Sequence, residues 1–242
     1  MRDWKGKRYW LIGASEGLGR ALAQVMSSAG VEVILSARDA DRLTELSNEL
    51  VGKSQVMPLD VTDADAVKQA AKDVGPIDGM VYLAGVYWPM SAKEWDADQA
   101  TAMADINFTG AMRAVGAVVP DMVAKGAGHI VLTGSLSGFR GLPRAIGYGA
   151  SKAGVMYLAE SMYADLRGSG VDVQLVNPGF IKTRLTDKND FKMPFIKEPK
   201  DAAQDYFEHM NSDVFAHNFP RGFGAMFRLS QFLPDWLYYR LF

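Results

Sequence analysis

The stretch Arg8-Tyr-Trp-Leu-Ile-Gly13-Ala-Ser-Glu-Gly17-Leu-Gly19 runs an apolar segment straight into a turn that holds three glycines. Residues 8–13 read as a strand and 17–30 as an amphipathic helix, so the glycines fall at a strand-to-helix junction. Glycines there let the backbone turn sharply and let a pyrophosphate come close to the positive end of the helix. Taken alone the pattern is weak, because a plain glycine-rich turn has the same look. Its place at the first βα junction of a longer series gives it weight.

Outward from that turn the alternation continues. Strands are predicted over 31–37, 55–60, 79–83, 129–133 and 171–176, and helices over 40–51, 63–73, within 96–125 and over 147–168. The strands are rich in Val, Ile and Leu rather than alternating apolar and polar, as in a parallel sheet buried on both faces. Regular β-then-α order predicts a doubly wound, Rossmann-like α/β fold: one domain, 1–242, whose parallel sheet has helices on both faces. After Asn177 the pattern loosens. Residues 178–199 read as a loop with the character of a lid, 201–210 as a helix and 213–217 as a last strand. The part from 186 to 242 is expected to supply a substrate loop and an aromatic-rich C-terminal tail within that domain.

Composition removes several chemistries. The length of 242 residues is enough for one sizeable core. Lys plus Arg number 26 against 28 Asp plus Glu, a net charge of −2, whereas nucleic-acid binding leans on clustered cations. The absence of cysteine excludes disulfides, iron–sulfur clusters, thiol nucleophiles and thiolate zinc sites. His129, His209 and His217 are far apart in sequence, so no histidine-based metal site is expected. No apolar run is long enough to predict a membrane span, and the first ten residues carry no apolar h-region, so the expected location is the cytoplasm.

At the end of the second predicted strand, where an acid would read the ribose of NAD, stand Ala37 and then Arg38. A guanidinium there suits the 2′-phosphate of NADP through paired hydrogen bonds. Asp39 competes: a one-residue shift would make it the ribose ligand, while its plainer role is to cap the helix that follows. Asp60, after the third strand, either meets an adenine amino group or caps the next helix. Tyr148 and Lys152 lie four apart at the start of a predicted helix and so share a face. A free phenol, with a pKa near 10, is a poor acid–base group at neutral pH. A lysine charge about 4 Å away is worth roughly 4 kcal/mol at an effective dielectric of about 20, or about three pKa units, and would bring the phenol toward the operating pH. Ser135, at the end of the fifth strand, is placed to hydrogen-bond a substrate carbonyl, with Ser137 as its rival. Asn107, in the long helix before it, is a candidate to hold a water that feeds protons to the lysine.

These residues together resemble the short-chain dehydrogenase/reductase family, in its compact single-domain branch, over about residues 8–185. Gly13, Gly17 and Gly19 match its GxxxGxG turn, and Asp60 its acid after the third strand. Asn107, Ser135, Tyr148 and Lys152 fall in the family's catalytic order and spacing, and Asn177-Pro-Gly-Phe-Ile-Lys-Thr183 looks like its PGxxxT segment. The resemblance implies Tyr148 as general acid/base, with Lys152 lowering its pKa and holding the nicotinamide ribose. Ser135 would position the carbonyl and Asn107 support the proton relay. It further implies a cofactor, NADP rather than NAD, held by Gly13, Ser15, Gly17, Leu18, Gly19, Arg38, Asp60, Val61, Ala84, Gly85, Tyr148, Lys152, Pro178, Gly179, Ile181 and Thr183. A homodimer or homotetramer through the two long helices is also implied. The sequence departs from the family pattern in places. Ile12 replaces the usual Thr before the first glycine, and Tyr82-Leu-Ala-Gly85 lacks both asparagines of the NNAG segment, so packing of Ile12 on Leu83 is expected in place of a polar contact. Glu16 stands where NADP-users sometimes carry a basic residue.

On the substrate side, Trp88, Phe139, Leu142 and Phe180, with Tyr87, Phe191 and Met193, are expected to line an apolar pocket for a hydrophobic carbonyl or alcohol. Arg140, Arg144 and Arg184 are candidates to meet an anionic group. In the tail, Phe219, Phe223, Met226 or Phe227, Ser230 and Leu233 fall near helical spacing until Pro234. Such a stripe covers a core or a subunit contact, or attaches the aromatic end to a membrane surface. The leading expectation is an NADP-dependent oxidoreductase acting on a carbonyl/alcohol pair. Its alternatives are a non-catalytic NADP(H)-binding regulator and an interaction protein that works through the tail.

Overall fold

Seven parallel strands form one sheet in the order β3-β2-β1-β4-β5-β6-β7. They are β1 (Arg8–Ile12), β2 (Glu32–Ser36), β3 (Ser54–Val56), β4 (Gly79–Tyr82), β5 (Gly128–Thr133), β6 (Val171–Pro178) and β7 (Ala216–Phe219). The structure, a computed structural model, describes residues 2–241; Met1 and Phe242, the last aromatic residue of the tail, lie outside the described residues. The helices are α1 (Gly17–Ser28), α2 (Ala40–Glu49), α3 (Ala64–Val74), α4 (Ala97–Ala104), α5 (Gly110–Lys125), α6 (Ile146–Asp165), α7 (Pro199–Met210), α8 (Arg221–Ser230) and α9 (Asp235–Leu241). From β1 the sheet grows one way through β2 and the other way through β4. Such a reversal of strand order opens a crevice beyond the carboxyl ends of the strands.

Successive strand residues feed two separate cores, because side chains alternate across a sheet. Leu11, Val33, Leu35, Val81 and Val131 join Leu22 and Met26 of α1 and Tyr206 and Met210 of α7. Trp10, Ile12, Ile34, Met80, Tyr82, Ile130 and Leu132 pack instead with Val67 of α3, Val115 of α5 and Val155 of α6. Both faces are therefore apolar and covered, which is why the strands read as continuous hydrophobic runs. The doubly wound expectation holds.

The boundaries differ in instructive ways. β3 covers Ser54–Val56 rather than 55–60: beyond Val56 the chain still donates from Met57 N–H to the Leu35 carbonyl and from Leu59 N–H to the Ala37 carbonyl, but the Met57 carbonyl accepts from the Ser36 hydroxyl at 2.7 Å. The long helix is interrupted by a π-helical turn over Asp105–Thr109, which divides α4 from α5. The last strand is Ala216–Phe219 rather than 213–217, and the loop after β6 contains a 3₁₀ turn over Thr186–Lys188. Ile12 and Leu83 do not pack together as expected: they face opposite cores and meet only through Leu83 N–H donating to the Ile12 carbonyl at 2.8 Å. Pro234 separates α8 from α9 as the sequence suggests. Among the described residues, no helix is long and apolar enough to cross a membrane, and no cluster of three His, Asp or Glu is placed to hold a metal ion.

Candidate active site

A cleft of roughly 1070 Å³ lies at the carboxyl end of the sheet. Its floor is the glycine turn. Gly13 has φ +100°, and a Cβ there would fall 2.4 Å from the Ala84 amide nitrogen. A Cβ on Gly19 would fall 2.0 Å from the Gly13 carbonyl oxygen. The turn is thus closed to side chains, and it leads into α1, whose first N–H groups have no partner within the helix. A cradle with that positive end suits a pyrophosphate. Every residue that the sequence nominates for the cofactor, from Gly13, Ser15, Gly17, Leu18 and Gly19 to Pro178, Gly179, Ile181 and Thr183, lines this cleft.

At the end of β2, Arg38 lines the cleft with no side-chain hydrogen bond or ion pair among the described residues. Asp39 caps α2 by accepting from the Arg42 N–H at 3.1 Å, and it lines the cleft beside Arg38. Arg42 is a cleft residue that sequence reading missed. It pairs with Glu16 at 2.8 Å, and the other oxygen of Glu16 meets Arg184 at 2.7 Å. Asp60 does not cap α3; that is Asp63, which accepts from the Asp65 and Ala66 N–H groups. Asp60 instead accepts from the Thr62 N–H at 2.9 Å and the Thr62 hydroxyl at 2.8 Å while lining the cleft. Burial alone would raise its carboxyl, but the Thr62 hydrogen bonds, with Arg38 and Arg113 nearby, hold it below the usual carboxylate range.

Tyr148 and Lys152 rise from the first turns of α6 into the same cleft. The Lys152 ammonium is 5.8 Å from the centre of the Tyr148 ring and donates to the Thr133 carbonyl at 2.9 Å. The expected lowering of the phenol by the lysine is not what the geometry yields. Burial pushes Tyr148 up to about 12, and the opposing contact is a hydrogen bond with Ser135. Burial also pushes Lys152, 4% exposed, down to about 8. The physical reason is that desolvation opposes the charged form of both groups. Ser135 follows β5, and its hydroxyl accepts from the Ser137 N–H at 3.2 Å and the Ser137 hydroxyl at 3.0 Å. Asn107 lies in the π-helical turn, fully buried. Its amide accepts from the Val86 N–H at 2.8 Å and donates to the Val86 carbonyl and the Ser151 hydroxyl, each at 3.0 Å. Its oxygen and the Lys152 ammonium both flank Gly85, where a Cβ would lie 3.4 and 3.7 Å from them. Asn107 therefore supports the cleft wall from behind and is not a lining residue.

The expected substrate residues separate. Trp88 and Tyr87 line the cleft, and the Tyr87 ring meets Tyr148 edge-on at 5.1 Å. Phe139, Leu142 and Phe180 lie outside the lining. Phe180 packs against Phe191 and Phe223, and Phe139 leans on the core beneath α6. The loop after β6 latches over Tyr87 and Trp88. Lys188 donates to the Tyr87 carbonyl at 2.7 Å and stands 4.4 Å over the Trp88 ring, and the Tyr87 hydroxyl donates to Asn189 at 2.9 Å. Each of the three arginines considered for an anionic substrate has a partner within the chain, and Arg184 also lines the cleft. Arg144 pairs with Asp190 at 2.8 Å, Arg184 with Glu16, and Arg140 with Asp235 and two tail carbonyls. No sequence signal marks these pairings, since each joins residues far apart in the chain.

The family profile described as short chain dehydrogenase matches residues 7–193. An oxidoreductase of Myxococcus xanthus is 36% identical over 245 residues, covering 98% of this chain and 97% of that protein. An oxidoreductase of Staphylococcus saprophyticus is 32% identical over 212 residues, covering 84% and 91%. Among solved structures, a short-chain dehydrogenase from Streptomyces avermitilis superposes with a TM-score of 0.83 at 23% identity, covering 93% of this chain and 92% of that one.

Proposed function

The chain belongs to the short-chain dehydrogenase family of oxidoreductases, which bind a nicotinamide dinucleotide, and on that premise we propose that it transfers hydride between NADP(H) and an apolar carbonyl/alcohol pair. The observation that carries this reading is that Tyr148 and Lys152 line the cleft that holds the glycine turn, with the buried Ser135 hydroxyl hydrogen-bonded to the Tyr148 phenol. The closed backbone at Gly13 and Gly19 and the start of α1 fit a pyrophosphate. Thr183, whose methyl lies 2.9 Å from where a Cβ on Gly17 would be, flanks that turn, and Lys152 lines the same cleft as a candidate to hold the nicotinamide ribose. When bound, that cofactor supplies the hydride that adds to the carbonyl carbon.

The chain's own residues do the rest. Ser135 donates a hydrogen bond to the carbonyl oxygen and fixes its position. Tyr148 gives its phenolic proton to that oxygen as negative charge builds there, and takes it back in the oxidative direction. Lys152 stabilises the phenolate left behind, and Asn107 holds the Val86 and Ser151 supports that keep this wall in register. Arg38 favours NADP over NAD, because it faces the cleft unpaired while Asp39 is engaged in capping α2. Tyr87 and Trp88 supply the apolar wall. Residues 186–242 act as substrate loop and tail of the same unit. A second copy joins through α5 and α6, where Met112 and Tyr157 stand exposed.

Side-by-side fluorescence titration with NADPH and NADH tests this reading. Tighter NADPH binding, lost in Arg38→Ala, is expected. Equal or tighter NADH binding overturns the assignment of Arg38.

A further inference from the structure

The segment α8–α9 is amphipathic in a way its own fold does not use up. One side is bolted down. Arg140 donates to the Ser230 and Leu233 carbonyls, pairs with Asp235 and lies 4.0 Å from the centre of the Tyr238 ring, whose hydroxyl donates to the Gly141 carbonyl. Phe227, Ser230 and Tyr238 are buried on that side. The rest of the segment presents Met226, Leu229, Phe232 and Trp236 to solvent, at spacings of three, three and four residues, while the exposed Tyr239 ring lies 5.7 Å from Arg140. Phe232 is 81% exposed and Trp236 70%. A run of large apolar side chains left open in this way marks a contact surface.

Its charges say which kind. Arg221, Arg228 and Arg240 lie on exposed positions of the same segment, and none makes a side-chain hydrogen bond or ion pair among the described residues. The one acid of residues 220–242, Asp235, is already neutralised by Arg140. The rest of the chain is acidic: removing three arginines and one aspartate takes the net charge from −2 to −4. A cationic, aromatic face thus stands on an anionic body. A two-fold contact of this face with itself would bring the same arginines together. An anionic bilayer complements both features, with the aromatic rings in the headgroup region and the guanidinium groups against lipid phosphates.

We propose that the outer face of α8–α9 docks the protein on anionic lipid bilayers, with Leu229, Phe232 and Trp236 entering the interface and Arg221, Arg228 and Arg240 meeting the headgroups. This docking does not depend on the oxidoreductase reading, since none of these side chains lines the dinucleotide cleft.

Flotation of the full chain with vesicles of phosphatidylcholine containing one-third phosphatidylglycerol, against vesicles of phosphatidylcholine alone, tests it. The protein is expected to float with the anionic vesicles and far less with the neutral ones. The double substitution Phe232→Ser/Trp236→Ser is expected to weaken binding at least about tenfold, and Arg228→Gln/Arg240→Gln by roughly fivefold per arginine. Both variants should keep the wild-type melting temperature. If the apolar variant unfolds, quenching by bromine-labelled lipid replaces it, and the part of the quenching lost in Trp236→Phe must be substantial. Failure to float with either vesicle, or flotation unchanged by all of these substitutions, overturns the proposal. So does light scattering that shows Phe232→Ser/Trp236→Ser dissociating an oligomer while the wild type ignores vesicles, which assigns the face to a second copy.

Discussion

Tyr148 and Lys152 stand one turn apart on α6 under the same pressure from burial, with opposite results. The phenol, pushed up to about 12, holds its proton tightly, and the lysine, pushed down to about 8, holds its own loosely. Near neutral pH the phenol is therefore in the acid form that carbonyl reduction needs. As pH rises through about 8, Lys152 loses the charge that would stabilise the phenolate, so reduction is expected to fall. Lys152→Arg, whose guanidinium stays protonated, should move that fall upward in a pH–rate profile. Tyr148→Phe and Lys152→Ala are each expected to lower turnover at least ~100-fold in steady-state assays. Retained activity in both variants overturns the assigned acid–base role.

At the scale of elements, the glycine turn and the tail are held by different means and should fail differently. Gly19→Ala sets a methyl against the Gly13 carbonyl oxygen, a contact only backbone movement relieves. Its expected result is a lower melting temperature together with loss of the thermal shift that NADPH produces in the wild type. Arg140→Ala removes one side chain that satisfies two carbonyls at the end of α8 and an acid at the start of α9. Limited proteolysis should then cut within 220–241 much faster than in the wild type, with the rest of the chain still protected. Elements were legible wherever local pattern and burial agree. β1, β2 and β4 were foreseen almost to the residue because both their faces are apolar and covered. The predicted 55–60 strand is too long because Leu59 is buried as a strand residue would be, while the Met57 carbonyl is bonded to the Ser36 hydroxyl.

Across the whole molecule, a polar cluster at the amino end of the sheet makes stability depend on acid. His129 on β5 is buried, with one ring nitrogen 2.9 Å from the Tyr9 hydroxyl and the other 2.8 Å from the Gln174 amide oxygen. Burial holds its pKa down to about 3, and that of His209 on α7 down to about 4, against an ordinary value of 6.5. The unfolded chain therefore binds protons that the folded chain refuses between those values. The stability these two histidines contribute is expected to be fully present above pH 6.5 and to be lost as pH falls toward 3, by an amount on the order of several kcal/mol. Melting curves from pH 7 to 4 should fall less steeply for His129→Gln than for the wild type. An equal slope means that His129 does not control the acid response.

The sequence by itself determined the doubly wound sheet, the glycine turn and the residues nominated to face a dinucleotide, because each rests on local periodicity or on spacing within one βα unit. Tyr148 and Lys152 are neighbours by helix geometry alone, and Gly13 meets Gly19 across a single turn. Only the tertiary structure decided what those groups experience. Burial rather than the lysine charge governs the phenol, since desolvation depends on everything packed around it. It also decided that Arg140 clamps the tail, that Asp39 caps α2, and that Glu16 is shared between Arg42 and Arg184. Apart from the cap, those contacts join residues 26 to 168 positions apart in the chain, and no local pattern encodes them.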